Sequence, residues 1–169
     1  MERHNSHRVG RSSILFLQVI IVCIGIVTLA LMLIEPHFEG RNAHASLFQI
    51  YFNDPFLAYA YIGSTPFFVA LFQAFKLLDF IGQHKVFSQA AVRTLKTIKY
   101  CAFITAGAIV AAAVYLRAAA LGSNDDPAGA IMLGIIATFV SIIIGAAAAV
   151  FEQTLQDAVD IKSENDVTV

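Results

Sequence analysis

Four stretches of this chain carry no charged residue, and each is long enough to cross a membrane. They lie between Arg11 and Glu35, Asp54 and Lys76, Lys99 and Arg117, and Asp126 and Glu152, and they hold 23, 21, 17 and 25 residues. A helix needs about 20 apolar residues to cross about 30 Å of hydrocarbon. The chain has 169 residues, 58% of them hydrophobic and 14% charged, too apolar a mixture for a soluble domain of this size to bury. The gaps predict an all-α fold in a single membrane domain, 1–169. It would be an integral membrane four-helix bundle with spans at about 13–34, 56–78, 99–121 and 130–151 and a tail at 152–169. The spans must be helical, because an unpaired peptide group in lipid costs several kcal/mol.

Lys and Arg set the orientation. With the N-terminus inside, nine of them (Arg3, Arg8, Arg11, Lys76, Lys85, Arg93, Lys96, Lys99, Lys162) face the cytoplasm, against Arg41 and Arg117 outside. The positive-inside rule therefore predicts both termini in the cytoplasm. The first span opens like a signal peptide, but its apolar run is too long and Thr28-Leu29-Ala30 is a poor cleavage site, so retention is expected. Cys23 and Cys101 are expected at different depths, too far apart for a disulfide.

Span 1 holds one strongly polar residue, Gln18. In the loop that follows, residues 45–52 form an apolar segment suited to the membrane interface. Span 2 is interrupted by Gly63-Ser64-Thr65-Pro66, and Pro66 cannot donate to the Ile62 carbonyl, so a kink is expected there. Asp79 and Gly82 mark its end, and Ser88 is a helix N-cap. The start of the third helix is amphipathic: Val92, Leu95 and Ile98 form one stripe, and Arg93, Lys96 and Lys99 the next. That basic stripe is placed to meet lipid headgroups, which explains it better than nucleic acid does.

The short turn at 122–128 makes spans 3 and 4 antiparallel neighbours. Small residues recur every four positions as Ser141, Gly145 and Ala149, as Ala130, Gly134 and Thr138, and as Ala102 and Ala106. Such stripes let helices approach closely in lipid, within one chain or in a homo-oligomer through spans 3 and 4. Beyond Phe151 the helix is expected to continue into the cytoplasm along Leu155 and Val159, and the helical pattern breaks at 163–169.

Val86-Phe87-Ser88, followed by Val92, Leu95-Lys96 and Ile98, resembles the central loop of the bacterial family called domain of unknown function 2975. Lys162-Ser163-Glu164-Asn165-Asp166-Val167-Thr168-Val169 resembles that family's closing motif, and Thr65-Pro66-Phe67 with Lys76-Leu77-Leu78 also fits. The resemblance covers 65–169 and is looser over span 1. It implies a four-helix protein of the bacterial cytoplasmic (inner) membrane without assigned activity, often encoded near a small helix-turn-helix regulator. No catalytic residue is carried over.

Gln73, Lys76, Asp79 and Glu152 form a candidate polar cluster near the inner face. Lys76 and Asp79 are three apart and able to pair. Charges within spans usually serve a purpose, although Lys76 snorkelling to headgroups is the plainer account. Arg117 could bind an anionic substrate, but pairing with Glu35, Asp125 or a lipid phosphate is the plainer account. The Gly63–Pro66 break suits a kink better than a transporter's broken helix, since it has no counterpart in the other half. His37, Glu39 and His44 are irregularly spaced, as solvated loop residues are, and no metal is expected.

No Walker loop, dinucleotide fingerprint, HExxH motif or nucleophile elbow is present, so no cofactor and no enzyme activity are expected. The expected partners are the bilayer and a cytoplasmic regulator or second membrane protein. The latter would meet Glu164, Asn165, Asp166, Val167, Thr168 and Val169, whose last four residues suit strand addition to a partner's sheet as well as a frayed tail. The rival expectation is a small oligomeric transporter or channel subunit with Pro66 and Lys76 along its path.

Overall fold

The computed structural model describes residues 3–38, 55–121 and 126–167. Along them run four helices: α1 (Arg3–Phe38), α2 (Pro55–Gly82), α3 (Gln89–Ala120) and α4 (Ala128–Val167). Each is long and apolar enough to cross a membrane, and no strand occurs among the described residues. The interfacial segment expected at 45–52 lies outside the described residues, as do Glu39 and His44.

The helices pack in chain order. α3 lies most extensively on α4, α2 on α3, and α1 on α2. The covered face of α4 runs Ile131, Gly134, Thr138, Ser141, Gly145, Ala148, Glu152, Leu155 and Val159, spaced alternately three and four apart. This is the 3.5-residue repeat of helices wound gently about one another. The four-residue stripes expected from the sequence thus merge into one seam, with Ala148 rather than Ala149 buried. On α1 the same spacing gives Ile14, Gln18, Ile21, Gly25, Thr28 and Met32, all partly covered. The other faces of α1 and α4 are bare, with Phe16 at 66% and Leu133 at 70% exposure, as lipid-facing side chains are.

Pro66 does not end α2, which is continuous from Pro55 to Gly82. Ser64 and Thr65 turn their hydroxyls back onto the Tyr61 carbonyl (2.8 and 3.4 Å), beside the Ile62 carbonyl that Pro66 deprives of its donor. Neighbouring hydroxyls commonly ease a proline inside a membrane helix in this way.

The sharpest turn follows α2. His84 N–H donates to the Ile81 carbonyl and Lys85 N–H to the Phe80 carbonyl, at 3.1 and 2.8 Å, with His84 at φ 56°. This is a Schellman-type C-cap whose left-handed position holds a histidine rather than Gly82. Ser88 then caps α3 as expected: its Oγ accepts from Ala91 N–H at 3.3 Å and donates to the Lys85 carbonyl at 2.7 Å.

One expectation is corrected. The helical pattern was expected to break at Ser163, but α4 continues through Val167. Ser163 Oγ donates to the Asp160 carbonyl at 2.8 Å inside the helix. Extending an existing helix costs far less than starting one, so weak formers can be carried along.

Candidate functional site

The densest packing lies where the sequence is most basic. Ala91, Val92 and Leu95 of α3 and Leu155 of α4 are buried together, with Leu77 and Phe80 of α2, Val86 of the α2–α3 connection and Val159 of α4 around them. Here the amphipathic stripe forms as expected, with Val92, Leu95 and Ile98 at 6–8% exposure. Arg93, Lys96, Asp157, Asp160 and Lys162 stand exposed around this cluster. Charges so arranged mean that water surrounds it, so the hydrophobic effect holds it together.

One turn further into the bundle, charge replaces hydrocarbon. Lys99 Nζ lies 2.6 Å from Glu152 Oε2 and 4.8 Å from the centre of the Tyr100 ring. The pair joins α3 to α4, and both side chains are largely covered, at 21% and 15% exposure. Lys99, expected to face headgroups with Arg93 and Lys96, is thus committed to Glu152, while the other two stay exposed. The short α3–α4 turn makes these helices antiparallel neighbours and brings Lys99 and Glu152 to similar depth, and the register of the two helices decides that they meet.

The remaining members of the expected polar cluster are not drawn into this pair. Asp79 accepts from Gln83 Nε2 at 2.7 Å, and Lys76 lies over the Phe80 ring at 5.8 Å, both side chains exposed. Gln73 Oε1 is buried without a hydrogen-bond partner. Gly63 of α2 faces Ala108 of α3, and ten residues further along each antiparallel helix stand Gln73 and Ile98, so Gln73 is level with the ion pair.

Glu164 is exposed on the last turns of α4. Asn165, Asp166 and Val167 lie on the same helix, and Thr168 and Val169 fall outside the described residues. Arg117 is exposed in the last turn of α3. Cys23 and Cys101 are free thiols, one exposed and one buried. Among the described residues, no three His, Cys, Asp or Glu side chains gather in a metal-binding group.

The opposite half is tied by aromatic residues. Tyr59 hydroxyl donates to the Ala108 carbonyl of α3 at 2.7 Å, and Tyr61 hydroxyl to the Met32 carbonyl of α1 at 2.8 Å. Residues two apart on a helix point to nearly opposite sides, so one turn of α2 holds both its neighbours. Phe56 stacks on Tyr115 with ring centres 5.7 Å apart. No spacing in the sequence signals carbonyl acceptors on other helices for these tyrosines. Between these ties, α2, α3 and α4 with Thr28 of α1 leave an apolar cavity of about 330 Å³.

Four membrane-length helices, a packed basic end and an apolar hollow beyond it define a class: a small helical membrane protein. The chain belongs to the family described as "Protein of unknown function (DUF2975)", whose model matches residues 39–169. It is similar to the "Uncharacterized membrane protein YoaS" of Bacillus subtilis (strain 168), 41% identical over 164 residues that cover 95% of this chain and 99% of that protein. No solved structure matches.

Proposed function

We propose that this membrane protein is non-enzymatic and works by contact, with its basic end docking a cytoplasmic regulator or another membrane protein. The termini would lie in the cytoplasm of a bacterial cell, as the nine-to-two division of Lys and Arg favours. The observation that carries this reading is the cluster of Ala91, Val92, Leu95 and Leu155. It makes the basic end a rigid platform. α4, with 40 residues, is about 60 Å long at about 1.5 Å per residue, twice what the bilayer core requires. A helix that runs on beyond the bilayer core, and is anchored on α3 through Leu155, presents Asp157, Asp160, Lys162 and Glu164 on that end.

The transporter reading draws less support. The hollow between the helices has no charged residue on its wall, and Lys76 rests on the ring of Phe80 rather than along an inner path.

The test is purification of the full chain in mild detergent at native expression, beside a form lacking residues 163–169. Both should insert, and the partner recovered with the intact chain should be lost with the shortened one. Equal recovery would overturn the docking role of the tail.

A further inference from the structure

The cavity away from the basic end has a wall drawn from every helix: Thr28 of α1, Gly63 and Phe67 of α2, Ala108 and Ala112 of α3, and Gly134 of α4. Small residues create it. Glycine and alanine stand where larger side chains would fill the interior, and no charged residue reaches the wall. Tyr59 and Ser64 spend their hydroxyls on the Ala108 and Tyr61 carbonyls. The volume falls at the small end of the roughly 300–1,000 Å³ typical of ligand cavities.

The position of the opening points to the occupant. α1 and α4 are the ends of the row of packed helices and make no extensive contact with each other, yet Thr28 and Gly134 both line the cavity. The opening therefore faces the lipid that covers bare residues such as Ile26 and Leu133, exposed by 62% and 70%. Thr105 Oγ1 is buried on this wall without a hydrogen-bond partner, and a hydrocarbon occupant would leave it so. By contrast Thr94, Thr97, Thr138 and Thr154 each donate to the carbonyl four residues back, at 2.8–3.0 Å. The wall offers little to hold a polar ligand, and an empty apolar hollow forfeits dispersion contacts along its whole lining.

We infer that this cavity holds one hydrocarbon chain of a bilayer lipid, entering between α1 and α4. The inference is independent of the docking role given to the basic end.

The test uses the full chain in phosphatidylcholine–phosphatidylglycerol vesicles doped with a phospholipid that carries a photoactivatable diazirine in its acyl chain. Peptide mapping should place adducts on residues 56–67 and 105–116 in clear excess over the lipid-facing side chains Ile135, Ile136 and Phe139 at similar depth. Ala112→Phe, or the milder Ala112→Leu if the first fails to fold, should lower the wall adducts severalfold. Ala137→Phe on the exposed face should not. Thr105→Val should keep the adducts, since an apolar chain has no use for the hydroxyl. Adducts spread evenly around the outer faces, a folded Ala112 variant with unchanged labelling, or loss of labelling in Thr105→Val would each overturn the assignment.

Discussion

At the basic end, α2, α3, α4 and the α2–α3 connection close on Ala91, Val92, Leu95 and Leu155. In the opposite half the same helices line a cavity, with α2 tied to α3 by the Tyr59 hydroxyl and the Phe56–Tyr115 stack and to α1 by the Tyr61 hydroxyl. The difference follows from the solvent. Around exposed charges, water drives apolar side chains together. In hydrocarbon a leucine gains nothing by leaving lipid, so the helices are held by shape, by close approach at small residues and by hydrogen bonds. One chain therefore uses two kinds of cohesion.

If that contrast is right, the largest loss comes from the water-facing cluster. Leu155→Ala should lower stability by about 2–5 kcal/mol, the range for emptying a packed core position, read by reversible unfolding in detergent micelles. A loss no larger than that of a lipid-facing leucine would erase the distinction between the two ends.

The middle of the seam sharpens the comparison. A methyl group at Gly145 would stand 3.1–3.2 Å from three atoms of the Phe103 ring, so the ring must move. Gly145→Ala should cost about 1–3 kcal/mol, as overpacking does, and Phe103→Leu in the same chain should recover most of it. Failure of that rescue would show that α3 and α4 are not limited by this contact.

The smallest effect is expected on the bare face. Leu133, at 70% exposure, should tolerate Ala within about 0.5 kcal/mol. A larger cost would reveal a partner on that face, and cross-linking between differently tagged copies of the chain would then identify a second protomer.

Much of this architecture is legible in the sequence. The four charge-free runs, the Ser88 cap and the stripe Val92, Leu95, Ile98 rest on local periodicity and charge, which act at fixed spacing along the chain. The candidate site is less legible. The partner of Lys99 is 53 positions away at Glu152, and a spacing rule that pairs Lys76 with Asp79 does not reach it. The helical state of 163–167 is likewise missed, because it depends on the helix already formed behind it.

By itself the sequence determines that there are four long helices, where the apolar run of each lies and which end gathers positive charge. Burying peptide groups in lipid leaves no other backbone solution, and the positions of charged residues mark the limits of the apolar runs. Tertiary structure decides the rest: Lys99 on Glu152, Gly145 under Phe103, the Tyr59 and Tyr61 hydroxyls on the carbonyls of neighbouring helices, and the hollow between them. These depend on the register of one helix against the next. That register is fixed by the summed fit of many small contacts, none of which is written at a fixed spacing in the chain.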